Sequence, residues 1–198
     1  MIGSGLVATV QALTAERIEK NHEVARLRSL NEVIPSQRYD NDILADVITL
    51  HDETLAGKYK VLVYRARKQE KPVAAVFETV APAGYAGPIR MLVGVNMDGT
   101  IAGVRILEHK ETPGLGDAIE VERSDWILGF DYKSIGNPKR ALWGVKRDGG
   151  VFDQFTGATI TPRLVVKTVK KSLIYFNAHK EQLFKAKPKL KPTLIENV

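Results

Sequence analysis

Two apolar runs, Ile89 to Asn96 and Ile101 to Leu107, flank the four residues Met97-Asp98-Gly99-Thr100. Asp-Gly is a preferred pair for the tightest antiparallel turns, whose central positions need positive φ. The pair commits the middle of the chain to a β-hairpin, and the remaining elements must pack on that sheet. Tyr59 to Ala66 and Val73 to Val80 are further β-rich runs with turn signals between them. A second hairpin is expected around Arg147-Asp148-Gly149-Gly150, joining residues 141–146 to 151–155. Between the two hairpins, residues 119–130 are expected to be helical, with Trp126 as a core or pocket aromatic.

Helical signals bracket these strands. Thr14 is placed to cap a helix over 14–33, rich in helix formers of both charges, and Pro35 ends it. A second helix is expected near Asp42 to Leu50, turning Ile43, Leu44, Val47 and Ile48 toward a core. The last runs from Pro162 to about Ala178, with an extension to Phe184, and sets Val165, Val169, Leu173 and Phe176 on one face. This mixed order, with no repeat and no internal linker, predicts an α+β fold: a single domain of mainly antiparallel curved sheet with packed helices. The 198 residues suffice for one such domain with its own core.

The chemistry concentrates in Asp153-Gln154-Phe155-Thr156-Gly157-Ala158-Thr159-Ile160-Thr161-Pro162. Gly157 permits positive φ or the close approach of a ligand. Thr161 before Pro162 reads as an N-cap with proline at the first helical position. Thr159 then lies just outside a helix N-terminus, where unpaired N–H groups and the positive dipole end favour a phosphate. A second segment, Glu111-Thr112-Pro113-Gly114-Leu115-Gly116-Asp117, is a rigid turn with two glycines between acidic groups. On its own it reads as a tight surface turn that closes a strand.

The spacing Asp153-x-x-Thr156-Gly157-Ala158-Thr159-x-Thr161 resembles the flavinylation motif of FMN-binding domains in two related membrane complexes. These are the Rnf (Rsx) electron-transport complex, through its RnfG (RsxG) component, and the sodium-pumping NADH:quinone reductase, through its NqrC component. The resemblance implies FMN carried by a phosphoester bond on Thr159, installed from FAD by the flavin transferase ApbE with magnesium. Thr159 is then an acceptor, and no catalytic residue is expected. Thr156, Gly157, Ala158, Asp153 and Thr161 complete the motif. Glu111, Thr112, Gly114 and Leu115 match a loop that lies near the flavin in this family. Tyr85, in Gly84-Tyr85-Ala86-Gly87-Pro88, stands either near the flavin or as a structural plug. The short chain favours the RnfG type over the NqrC type. The resemblance further implies electron transfer among the other subunits, with the flavin domain in the periplasm and a single helix in the bacterial inner membrane. A non-redox binding or assembly module of the same fold, or a stand-alone FMN reductase, are the alternatives.

The termini follow the same expectation. Residues 1–13 read as a tag-derived start joined to the remnant of an N-terminal transmembrane helix, or as an ordinary amphipathic helix. Residues 14–184 read as the FMN-binding domain, and 185–198 as a basic tail. The net charge of +6 is concentrated there, with Lys185, Lys187, Lys189 and Lys191 interleaved with prolines. Solvation or contact with anionic lipid accounts for such a tail. No nucleic-acid module accompanies it, so nucleic acid is set aside as a partner. With no cysteine, iron–sulfur clusters and thiolate zinc sites are excluded. His22, His51, His109 and His179 lie at no metal-ligand spacing, so no metal is expected. Glu108, Glu111 and Asp117 lack the Ser/His or Cys/His partner a hydrolase needs. No Gly-x-Gly-x-x-Gly follows a strand, which excludes a Rossmann nicotinamide site.

Overall fold

A computed structural model describes residues 20–188. The expected anchor remnant at 1–13, the start of the first helix and the tail from 189 onward lie outside the described residues. Within them, a helix over residues 20–33 (α1) leads into a five-stranded antiparallel meander in chain order. Its strands are Val47–Leu50 (β1), Val61–Lys68 (β2), Lys71–Ala81 (β3), Ile89–Asn96 (β4) and Ile101–Glu108 (β5). A one-turn helix, Glu53–Ala56 (α2), joins β1 to β2, and the long helix Ile160–Lys185 (α3) closes the chain. Between β5 and α3 run short 3-10 turns and loops. Among the described residues no helix is long and apolar enough to cross a membrane.

Side-chain alternation explains the layering. On β2, Val61 and Val63 face one core while Leu62, Tyr64 and Ala66 face another. On β3, Ala75 and Phe77 alternate with Ala74 and Val76 in the same way. The first core lies under α3, which contributes Val165, Val169, Leu173 and Phe176 as the sequence predicted. The second lies under α1, through Leu30 and Val33. Covered on both faces, the central strands read as near-continuous apolar runs. Register shifts at Ala66/Arg67, Arg90/Met91 and Gly94/Val95 add the bulges that bend and twist the sheet.

The Asp98-Gly99 hairpin is present as expected, with Gly99 at φ +85°. Three local expectations are corrected. Residues 42–46 turn instead of forming a helix, because Asp42 Oδ1 accepts from the N–H groups of Leu44 and Ala45. The β-branched residues that follow pair as β1, with Val47 opposite Tyr64. Residues 119–130 form no continuous helix: 3-10 turns at Gly116–Ile119 and Asp125–Phe130 are separated by Ser124. Its hydroxyl donates to Ala118 O and accepts from Trp126 N, ending one turn and starting the next. The hairpin expected around residues 147–150 is a 3-10 turn, Lys146–Asp148, with one parallel bridge between Val145 and Phe152. Gly150 packs so tightly on Gly144 that a Cβ there would collide with the Gly144 carbonyl, and the chain crosses back on itself.

Candidate functional site

Five aromatic side chains build the platform on which the threonine-rich loop rests. Phe130 stacks on Phe152 with ring centroids 4.6 Å apart, and Trp143 lies 5.3 Å from Phe152. Trp126 meets Phe130 and Phe155 edge-on at 5.3 and 5.1 Å. The Trp126 indole N–H also donates to the backbone oxygen of Asp153 at 2.9 Å, so one side chain fastens both ends of the segment 153–155. Trp143 is buried and donates to Ser134 O at 3.1 Å. The sequence left Trp126 open between core and pocket; its ring contacts are to the loop and its supports.

On that platform the chain turns sharply from Phe155 to Ala158, where Ala158 N donates to Phe155 O at 3.2 Å. Gly157 takes φ +80°, and a Cβ on it would lie 3.3 Å from Leu115 Cδ2. Leu115 is thus packed against the motif backbone while still 42% exposed. The structure therefore brings together the two segments that the sequence singled out far apart in the chain. Thr156 and Gly157 are exposed and Ala158 is half-buried.

Helix α3 begins at Ile160, two residues earlier than the Thr161-Pro162 pair implied, which makes Thr159 the N-cap. Its φ of −77° and ψ of −25° are already helical, and its hydroxyl makes no capping hydrogen bond. The expected cap role for Thr161 is corrected accordingly. Thr161 is fully buried, and its hydroxyl donates to Glu111 Oε2 in a short hydrogen bond. No side chain caps the first turn of α3, which leaves its orphan N–H groups to a ligand or solvent.

Glu111, 5% exposed, is the knot of the site. Its Oε1 accepts from Ala86 N at 3.1 Å while Oε2 accepts from Thr161, so one carboxylate joins two loops to the first turn of α3. Two glycines make room for it. A Cβ on Gly84 would stand 2.7 Å from Glu111 Oε1, and one on Gly116 would stand 2.8 Å from Glu111 Cβ. The Glu111 N–H donates to His109 Nδ1 at 2.9 Å, which puts the ring proton on Nε2, facing Glu120 at 2.9 Å. The sequence reading used Gly84 and Gly116 only as turn residues and His109 only as a non-metal histidine; their closeness to Glu111 is spatial and carries no sequence signal. Around this knot Tyr85 stands 72% exposed, and Thr112 and Gly114 are exposed, with Gly114 at φ +76°.

Removing the knot has a definite expected cost. Glu111→Ala leaves the Ala86 N–H and the Thr161 hydroxyl without their acceptor. Two lost buried partners cost about 2–4 kcal/mol in urea unfolding of the FMN-free protein, taking about 1–2 for each. Glu111→Gln keeps the shape and one acceptor and is expected to lose less than half of that. Equal stability of the alanine variant and the wild type would refute the structural role.

Charge around the loop is mainly basic. Exposed Asp153 pairs with Lys146 at 2.5 Å. Asp148 receives both Nε and Nη2 of Arg163, whose hydrogen bonds hold the Asp148 carboxyl below the ordinary carboxylate range. Beside Ile160 opens a groove of ≈ 480 Å³. One wall is Ala141, Trp143, Gly144 and Asp148; the other is the α3 face that carries Arg163, Leu164, Lys167 and Lys170. Among the described residues no group of three or more His, Cys, Asp or Glu is arranged to hold a metal.

Comparison with known proteins agrees with this geometry. The FMN-binding domain matches residues 84–174, and the RnfG N-terminal region matches residues 1–33. The G component of the ion-translocating oxidoreductase complex of Pseudomonas aeruginosa is 48% identical over 184 residues, 92% of this chain and 86% of its own. Those of Pseudoalteromonas atlantica and Vibrio cholerae are 45% and 44% identical, over 94% and 92% of this chain and 87% of each of theirs. With the sheet, the long closing helix and the threonine loop at its start all inside or beside the matched regions, the chain belongs to the RnfG family, the G components of ion-translocating oxidoreductase complexes, and contains its FMN-binding domain.

Proposed function

We propose that this chain carries electrons within a membrane-bound ion-translocating oxidoreductase complex, through FMN held covalently on Thr159. The observation that carries this reading is the Thr159 hydroxyl, half-buried at the start of α3 and committed to no cap. Of the three threonines in the motif, Thr161 is buried against Glu111 and Thr156 lies in the exposed turn before the helix. Only Thr159 among them stands where a phosphoester meets the uncapped N–H groups of the helix, an electrostatic fit worth about 0.3–1 kcal/mol.

The residues present suit the cofactor. Leu115 offers an exposed apolar side chain against the motif backbone, and with Tyr85 on the neighbouring loop it would hold the flavin ring. Thr112 and Gly114 leave that side unobstructed, and Glu111 with Thr161 holds the loop against the helix start. The bound flavin supplies the electron-transfer chemistry, while the chain supplies attachment, orientation and charge. Loading follows from phosphoryl transfer. The Thr159 oxygen forms a bond to the FMN phosphorus of FAD, the phosphoanhydride breaks, AMP leaves, and the hydroxyl proton passes to the transferase. ApbE is the expected transferase. A periplasmic flavin domain on one inner-membrane helix, partnered by the remaining subunits, completes the reading.

The test is the intact mass of denatured protein made alongside the flavin transferase, with peptide mapping of any adduct. The expected increment is one FMN less one water, on the peptide that contains Thr159. An unmodified mass, with the transferase active on a control substrate, overturns the reading in favour of a non-redox binding or assembly module. Asp153 offers a second check, since it is exposed and held only by Lys146. As a surface element of the motif that the transferase reads, Asp153→Ala is expected to slow loading about tenfold or more, equivalent to about 1.4 kcal/mol of recognition, with stability unchanged within about 0.5 kcal/mol. Loading at the wild-type rate would remove Asp153 from the recognised motif.

A further inference from the structure

We propose that the basic groove beside Thr159 is the docking surface for an acidic segment of the protein that exchanges electrons with the cofactor held there. This rests on the Thr159 reading above and names the kind of partner that approaches it. The starting observation is a charge pattern that runs against the electrostatics of α3 itself. From Ile160 to His179 the helix carries Arg163, Lys167, Lys170 and Lys171 and no carboxylate. A solvated helix commonly interleaves both signs, and its first turn favours acids because that end of the dipole is positive. Here the first turn contains no acid and does contain Arg163.

Asp148 answers Arg163 through their two hydrogen bonds. The same carboxylate also faces Arg147, and Asp153 pairs with Lys146. Lys167 and Lys170 on the helix wall have no ion-pair partner among the described residues, nor do Lys139 and Arg140 on the loop that supplies the facing wall. These four cations, unpaired among the described residues, repel each other in the free protein. The same field raises the encounter rate of a negative partner, by roughly 10- to 1000-fold in focused cases. Shape favours a protein over a lipid surface. Lys167 and Lys170 line the helix wall of a groove whose interior includes Trp143, Leu164 and Val166, and Lys139 and Arg140 immediately precede Ala141 of the facing wall, which suits a protruding acidic segment rather than a flat leaflet. Position supplies the function, since Ile160 on the groove's wall directly follows Thr159.

The experiment uses FMN-loaded protein, reduced and mixed with membranes that hold the remaining subunits of the complex. Flavin reoxidation is followed by absorbance and expressed per flavin, so that differences in loading do not enter. The rate is expected to fall about tenfold as ionic strength rises from about 0.02 to 0.3 M. Arg140→Glu with Lys167→Glu is expected to lower the low-salt rate about tenfold or more and to flatten its salt dependence. Lys58→Glu with Lys60→Glu, next to α2 at the far end of α3, is expected to change neither. Equal effects of the two pairs, or no effect of either, overturn the docking surface. A groove variant that loses binding to phosphatidylglycerol vesicles but keeps its rate with detergent-solubilised complex overturns it in favour of lipid. The adduct mass is read first: its absence refutes the Thr159 reading, whereas a loaded protein with an unchanged rate refutes the docking surface alone.

Discussion

Thr159→Val is expected to give a folded protein that carries no covalent flavin, a complete loss at nearly constant stability. The two halves of that expectation have separate physical grounds. Loading fails because valine matches the shape of threonine but has no oxygen to bond phosphorus. Stability holds because the Thr159 hydroxyl makes no capping bond, so the usual cost of about 1 kcal/mol for removing an N-cap oxygen does not arise. Mass spectrometry of the denatured protein reads the first, and urea unfolding of FMN-free wild type and variant reads the second. A covalent flavin in the variant, whether moved to Thr156 or Thr161, would overturn the assignment. Thr161 is an especially poor substitute, since freeing its oxygen requires breaking the bond to buried Glu111.

The largest loss of stability is expected from Arg65→Ala, far from the cofactor. Arg65, 1% exposed on β2, forms a close ion pair with Asp46. Its Nη1 also donates to the carbonyls of Leu183 and Ala186 at 2.8 and 2.6 Å. Arg67, on the same strand, donates Nη2 to Phe184 O at 3.0 Å and Nε to Asp46 Oδ2 at 2.7 Å. Two strand arginines therefore cap the C-terminal end of α3, the negative end of its dipole, and Asp46 balances them. Burial pulls the Arg65 guanidinium below its ordinary pKa range and Asp46 opposes that, so the charge is tolerated only with its partner. Truncation leaves Asp46 and the last carbonyls short of donors and costs about 3–5 kcal/mol. Chemical denaturation measures it. A loss below about 1 kcal/mol for Arg65→Ala would mean that solvent reaches the pair and that the helix end is not held here.

Much of this architecture is legible in the chain because it depends on local rules. Asp98-Gly99 supplies the left-handed geometry of the β4–β5 turn on its own, and the runs on either side have no competing conformation. The helical period of Val165, Val169, Leu173 and Phe176 fixes which face of α3 is buried, whatever it packs against. The threonine motif is likewise local, and its spacing alone led to FMN-binding domains and to the family shown by the relatives. Where the reading failed, side chains had overridden the pattern. Asp42 bonded the backbone ahead of it and set up a turn, Ser124 interrupted a helix, and Phe152 joined an aromatic stack instead of a hairpin strand.

Sequence by itself determined that the chain is α+β, where its central hairpin lies, and which threonine is the candidate acceptor. The first two follow from interactions among residues a few positions apart, and the third from the motif's resemblance to the flavinylation motif. Only the tertiary structure decided what the acceptor stands among. Glu111 reaches Thr161 across 50 positions and Arg65 reaches Leu183 across 118, and no periodicity encodes either pairing. A buried charge must find its partner wherever packing delivers one, because leaving it unpaired costs several kcal/mol, roughly as much as a large share of the stability of a whole domain. For that reason the motif could be recognised in one dimension, while the knot that holds it against the helix exists only in three.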